Sequence, residues 1–139
     1  MTACALCVDQ GGELLWQDER CRVVRVEGAE GAAFPGYCRV VWGAHVRELS
    51  DLSRADRHHL LEVVHAVERA VREVVRPDKI NLASLGNLVP HLHWHVIPRW
   101  RDDSHFPAPI WAEAARAVPA RPLPASADLA ASLLAALRR

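Results

Sequence analysis

The chain has no surplus of charge of either sign: Lys plus Arg and Asp plus Glu each number 17 in 139 residues. With zero net charge there is no general electrostatic case for binding a nucleic-acid polymer or an anionic membrane, so an anionic partner must be held by local groups. No apolar run approaches the roughly 20 residues a bilayer-spanning helix needs. The opening Met1-Thr2-Ala3-Cys4-Ala5-Leu6-Cys7 has neither a basic segment nor a long apolar stretch behind one, so no secretory signal is read and a cytoplasmic location is expected. In that reducing compartment the four cysteines are expected as thiols or metal ligands and not as disulfides. Neither G-x-x-x-x-G-K-[ST] nor G-x-G-x-x-G occurs, which removes a P-loop and a dinucleotide fingerprint. There is no internal repeat.

Half of the residues are apolar, enough for one domain with a real core. Glu13 to Trp16 and Cys21 to Val26 read as a hairpin with Gln17 to Arg20 as its turn. Glu27 to Gly36, rich in Gly, Ala and acid, reads as a loop closed by Pro35-Gly36. Tyr37 to Trp42 is a third strand. A long helix is expected from about Ser53 to Arg76, with Ser53 as N-cap and Pro77 as stop. Leu60, Val64, Val67, Val71 and Val74 form its buried stripe, and its histidines, His58, His59 and His65, are placed at the surface or boundary. Lys79 to Ser84 and His91 to Ile97 complete five strands, the last ended by Pro98. Beyond them a Pro- and Ala-rich tail leads to a helix over Ala127 to Leu137, capped by Ser126, with Leu129, Leu133 and Leu137 in one stripe. The layout β-β-β-α-β-β is α+β. The expected organisation is a domain over 1–105 and a Pro/Ala-rich extension over 106–139 that wraps the domain or contacts a partner.

The informative stretch is His91-Leu92-His93-Trp94-His95-Val96-Ile97. On a strand, alternate side chains share a face. Three imidazoles would line one face, with Leu92, Trp94 and Val96 anchoring the other. A neutral imidazole is a good nucleophile near pH 7. The competing reading is a metal-binding strand in which two or all three histidines hold one ion.

This motif resembles the signature of the histidine triad (HIT) superfamily, His-φ-His-φ-His-φ-φ with φ apolar, continued here by Pro98-Arg99. Pro35-Gly36, a strand and His45-Val46 resemble the family's upstream block. Asn81, twelve residues before His93, resembles its substrate-contacting Asn, and Gly86-Asn87 its Gly-Gln. The resemblance covers roughly residues 4 to 101. It implies a HIT-like fold, an antiparallel five-stranded sheet with one long helix. It also implies hydrolysis or transfer at the α-phosphate of a nucleotide through a nucleotidyl-histidine intermediate. By that likeness His93 attacks phosphorus, His95 hydrogen-bonds a non-bridging oxygen, and His91 helps to fix the neighbouring imidazole. No metal is required for that chemistry.

The third triad position is Gln in the uridylyltransferases of the superfamily, so His95 points to its hydrolase branches. Leu88 stands where the phosphoramidase branch carries Ser, and Asn87 is shorter than Gln. Both favour a dinucleoside polyphosphate, such as diadenosine tetraphosphate, over a nucleoside phosphoramidate, which stays as the alternative beside a metal- or nucleotide-binding module without turnover. Asn81, Asn87 and Glu27 are the candidate substrate-binding residues, Glu27 for the ribose hydroxyls; a solvated loop acid is the other reading of Glu27. The resemblance further implies a homodimer. It also implies a structural zinc on Cys4, Cys7, His45 and His91, since some relatives bind zinc through an N-terminal C-x-x-C, a mid-chain His and the first triad His. The other reading is a packed N-terminus. Cys21 and Cys38, on strands, are expected as small buried hydrophobes.

Overall fold

The computed structural model describes residues 3–139; the first two residues of the expected 1–105 unit lie outside it. A short helix, α1 (Ala5–Val8), leads into a hairpin of β1 (Glu13–Gln17) and β2 (Cys21–Arg25). There follow α2 (Gly28–Ala33), β3 (Cys38–Trp42), α3 (Arg54–Val75), β4 (Lys79–Ala83), β5 (His93–Arg99) and α4 (Ser126–Leu137). All strand pairs are antiparallel, in the order β1-β2-β3-β5-β4, so the histidine strand is internal, between β3 and β4. The α+β class and the five-stranded sheet match the expectation.

The sheet separates two environments. Cys21, Val23, Cys38, Val40, Trp42, Ile80 and Val96 point to one face. There they meet Leu60, Val63, Val64, Val67 and Val71 of α3 and Leu129 and Leu133 of α4 in the main core. Each such aliphatic side chain, fully withdrawn from water, contributes about 1.5–3 kcal/mol. Cys21 and Cys38 are thus the small core residues expected. The other face carries Arg39, Val41, His93, His95 and Ile97, brought level by the pairings Arg39 with His95 and Val41 with His93. Two small covers shield its ends. Leu6 of α1 packs on Val24 and Val41, and Ile110 joins Phe34, Tyr37 and Ile97. The gap between these covers is where the site lies.

α3 follows its signals. The Ser53 hydroxyl accepts from the Asp56 N–H at 3.1 Å, Asp56 is acidic in the first turn, and Arg76 turns left-handed (φ 49°) before Pro77. Of its histidines, His58 and His65 are exposed and His59 is half-buried.

Three local expectations change. Glu27 to Gly36 is not simply a loop: its Ala-rich middle forms α2, with Glu27 at the N-cap. Gly31 is required there, because a Cβ would lie 2.2 Å from the Val26 carbonyl oxygen. Pro98 does not end the histidine strand. β5 starts two residues later than the motif, at His93, and runs through Pro98 to Arg99. Ser126 does not cap α4; Ala125 holds that position, while the Ser126 hydroxyl donates to Glu13 at 2.6 Å and accepts from Arg25 at 2.8 Å, tying the helix to the hairpin. Leu129 and Leu133 place α4 in this chain's own core.

Candidate functional site

The alternation of β5 holds for two histidines and not for the third. His93 and His95 lie on the open face of the sheet, their rings T-shaped with centroids 4.9 Å apart. His91 precedes the strand and is fully buried. Its ring turns away from the other two, so the expected row of three imidazoles is a row of two. Trp94 fills the opposite face, half-buried against the main core.

His91 belongs to a separate corner. Its Nδ1 lies 3.4 Å from the Cys4 Sγ, 3.5 Å from the Cys7 Sγ and 3.3 Å from the His45 Nδ1, and His45 Nδ1 is 3.4 Å from Cys7 Sγ. The four donor atoms all fall within 4.8 Å of one another. A tetrahedron with Zn–N near 2.05 Å and Zn–S near 2.3 Å has edges of about 3.3 Å between nitrogens and about 3.5 Å between sulfur and nitrogen. The measured separations have that size, so these residues fit the metal. The His91 Nε2–H donates to the Trp42 carbonyl at 2.6 Å, which leaves the Nδ1 lone pair facing the corner. Among the described residues, no cluster of metal-capable side chains includes His93 or His95. A strand whose triad histidines share one ion is therefore not what this geometry offers.

His91 nonetheless touches the site through its backbone. The His93 Nδ1–H donates to the His91 carbonyl at 2.5 Å. That fixes the tautomer: Nδ1 carries the proton, and Nε2 keeps its lone pair with no protein partner among the described residues. Burial pushes the His93 pKa below the ordinary histidine value, with the charges of Arg39 and His91 adding to the effect.

His95 is set the opposite way. Tyr37 lies 2.6 Å from its Nδ1. Burial pushes the Tyr37 pKa up to about 12, so the phenol stays protonated. That hydroxyl has no other acceptor among the described residues and donates to Nδ1, which places the His95 proton on Nε2. Burial, then the charges of His93 and Arg39, push His95 down to about 3, so the ring is neutral at physiological pH. The strand therefore presents one bare nitrogen, on His93, beside one N–H donor, on His95.

Both rings line a cleft of about 590 Å³, walled further by Leu85, Gly86, Asn87, Leu88 and Val89 and by Asp9, Gly11, Glu30 and Arg39. That volume is in the range of small-molecule sites. Of the candidate substrate residues, Asn87 lies in the wall. Asn81 does not: its side-chain oxygen accepts from Arg99 at 2.8 Å. Glu27 is exposed outside the wall, and the acid that reaches the cleft from the same short helix is Glu30. Leu88 is 94% exposed at the rim.

Four wall or support residues carry no motif: Tyr37, Arg39, Glu30 and Trp111. Tyr37 follows the Pro35-Gly36 turn, and Arg39 interrupts an apolar run; both become informative only when the β3–β5 register is known. Trp111 comes from the tail. It is 46% exposed, with its ring edge-on to His95 at 5.0 Å. Nothing in the Pro/Ala-rich composition around it marks it.

The tail is held against the site by a buried ion pair. Asp103 accepts from Arg99 Nε at 2.8 Å and from Nη2 at 3.0 Å, and Arg99 also donates to the Ala108 carbonyl. Outside the cleft, Asp18, Cys21 and His59 also converge. There the Asp18 carboxylate closes the β1–β2 turn by accepting from the backbone N–H groups of Arg20 and Cys21, and its other oxygen pairs with His59, which accounts for the cluster as a turn lock.

A model of the HIT domain family matches residues 11–102. Among curated proteins, the AP-4-A phosphorylase of Mycobacterium tuberculosis (strain ATCC 25618 / H37Rv) is 35% identical over 78 residues, 52% of this chain and 40% of the relative. The bis(5'-adenosyl)-triphosphatase of Saccharomyces cerevisiae (strain ATCC 204508 / S288c) is 32% identical over 73 residues, 48% of this chain and 35% of that protein. The shared stretch is thus less than half the length of either relative. Among solved structures, a histidine triad protein from Marinobacter aquaeolei VT8 superposes with a TM-score of 0.70 at 27% identity, covering 93% of this chain and 90% of that one. One from Bradyrhizobium japonicum gives 0.66 at 29% identity over the same shares.

Proposed function

The chain belongs to the HIT family, and on that footing we propose that it is a nucleotide hydrolase or transferase acting at the α-phosphate of a dinucleoside polyphosphate such as diadenosine tetraphosphate. The observation that carries this reading is the His93 ring: its Nδ1–H is committed to the His91 carbonyl, which leaves Nε2 as the free nitrogen of a ring that lines the cleft. In the first step the Nε2 lone pair forms a bond to the α-phosphorus. The bridging P–O bond breaks, and the nucleoside polyphosphate leaves with the electron pair as an anion, needing no proton. In the second step an acceptor oxygen attacks, the P–N bond breaks, and Nε2 is regenerated; when the acceptor is water, its proton passes to solvent. The His95 Nε2–H donates to a non-bridging oxygen, on which charge builds in both steps.

Two acceptors are consistent with the names of the relatives, one a phosphorylase and one a triphosphatase. Water acting on diadenosine tetraphosphate yields AMP and ATP; inorganic phosphate yields ADP and ATP. Turnover of diadenosine tetraphosphate, diadenosine triphosphate and adenosine phosphoramidate, with and without phosphate, by wild type and His93→Ala tests the reading. Loss in the variant, with a mass adduct of the nucleotidyl group on wild type that survives alkali and is lost in acid, as a P–N bond requires, is expected. Equal turnover by both proteins ends it. Faster turnover of the phosphoramidate than of either dinucleotide moves the assignment to the alternative branch.

A structural zinc on Cys4, Cys7, His45 and His91 is part of the same reading, supported by the donor spacing; it takes no part in the chemical steps. No helix among the described residues is long and apolar enough to cross a membrane. A homodimer is supported by β4, an edge strand with Leu82 exposed on it and Leu85 and Leu88 exposed beyond it. Light scattering at twice the chain mass is the expected result.

A further inference from the structure

We propose that Arg39 is the phosphate-binding cation of this cleft, and that Glu30 is its counter-ion in the free protein, displaced when nucleotide phosphate arrives. The inference rests on the nucleotide reading above and names the group that holds the anion.

The charge of the cleft demands such a group. Apart from its two imidazoles, the side chains in its wall that carry charge are Asp9, Glu30 and Arg39. Two carboxylates would repel a polyphosphate. The chain has no net charge to offset them, and among the described residues of the wall Arg39 is the one permanent cation. Its position is set by the sheet: Arg39 on β3 lies opposite His95 on β5, on the same face. Its guanidinium carbon stands 5.4 Å from the centre of the Tyr37 ring, and Tyr37 in turn holds His95.

Arg39 also has donors to spare. Its Nη1 reaches the Gly11 carbonyl and its Nη2 the Glu30 carboxylate, each at 3.4 Å, long for such bonds. Its Nε is buried and has no partner among the described residues. A guanidinium with five N–H groups, two weak bonds and one buried orphan is under-used in the free protein. A phosphate matches its fork bidentately, which a single exposed carboxylate at 3.4 Å does not. Glu30 is half-exposed on a helix of six residues, and it can swing into solvent once a phosphate takes its place.

The test is calorimetric titration of AMP and of adenosine into wild type, Arg39→Gln, Arg39→Lys and Glu30→Gln, with thermal unfolding to confirm that each variant is folded. Arg39→Gln is expected to weaken AMP on the order of ten- to hundredfold and leave adenosine unchanged. Arg39→Lys is expected to fall between, and Glu30→Gln to tighten AMP. Unchanged AMP affinity in Arg39→Gln overturns the inference. So does equal loss of AMP and adenosine, which marks a deformed cleft, and so does weaker AMP binding in Glu30→Gln, which makes the acid a ligand contact. Wild type that binds AMP through Arg39 but turns over no nucleotide defeats the reaction and leaves the binding role standing. Normal turnover with Arg39→Gln binding AMP as wild type does defeats Arg39 alone.

Discussion

Tyr37→Phe removes one oxygen, and its effect can be worked from the 2.6 Å contact to His95. In wild type the phenol donates to Nδ1 and keeps the His95 proton on Nε2. The Phe ring fills the same space but leaves a buried nitrogen without a donor, which costs about 1–3 kcal/mol. For a domain of this size that lowers the melting temperature by roughly 3–10 °C. The same bond sets the tautomer. Without it only the ring's weak intrinsic preference for the Nε2–H form remains, so a minority of rings lose the cleft-facing N–H, and the ring is freer to rotate. Deleting an oxyanion donor outright costs about 10²–10³ in kcat. Removing the donor from a minority of rings and loosening its aim in the rest should cost about two- to tenfold, with KM little changed, against the full loss in His95→Ala. Long-range proton–nitrogen NMR of the imidazoles reads the tautomer directly. Wild-type His95 is expected to show an unprotonated Nδ1 and a protonated Nε2, and Tyr37→Phe a mixed signal. A wild-type proton on Nδ1, or a Tyr37→Phe variant with full kcat and an unmixed signal, refutes it.

Two further predictions follow from burial and from the cysteine corner. The Arg99–Asp103 pair is 2% and 0% exposed, and the hydrogen bonds of Arg99 and of three backbone N–H groups outweigh burial to hold the Asp103 carboxyl at about 2, below its ordinary 3.8. A depressed carboxyl stabilises fully above its unfolded value and loses that stability as pH falls toward its folded value. The contribution, about 2 kcal/mol, is therefore expected to disappear between about pH 4 and pH 2. Asp103→Asn should cost about 3–5 kcal/mol at neutral pH by stranding Arg99, and should flatten that stretch of an acid-unfolding curve followed by circular dichroism; an unchanged curve counts against the pair. Cys7→Ser should lower bound zinc, measured by elemental analysis of the purified protein, from about one per chain toward zero and reduce the melting temperature. Wild type without zinc after expression in zinc-supplemented medium removes the metal from the account.

The elements that were legible in the sequence are those whose signals are local. α3 is written in a 3.6-residue apolar period with an N-cap serine and a terminal proline, and it forms as read. The hairpin and the first four strands begin and end within a residue or two of their patterns. Between Glu27 and Gly36 the glycines and Pro35 signal a loop, whereas Gly31 lets α2 pass close to the Val26 carbonyl. Within the site, His93 and His95 were legible because period-two alternation is a property of one strand. Tyr37, Arg39 and Trp111 were not, because each gains its role from a pairing between segments: β3 against β5, and the tail against the sheet. Asn81 sits on the correct face but is engaged by Arg99, eighteen residues away in sequence, a competition that spacing does not reveal.

His91 shows why the triad motif is one unit although its rings part company. Its side chain belongs to the cysteine corner, held by the Trp42 carbonyl on one nitrogen and turned to Cys4, Cys7 and His45 on the other. Its carbonyl, two residues before His93, receives the His93 Nδ1–H. A displaced ring is corrected by rotation about one side-chain bond, but a displaced carbonyl carries the peptide plane with it. Whatever secures the His91 ring therefore sets the orientation of the acceptor that fixes the His93 tautomer. By that argument the corner acts on chemistry through the backbone and not through any charge it places on substrate. A defect there should lower kcat through misaligned His93 while nucleotide affinity, assigned by our proposal to Arg39, stays near that of wild type.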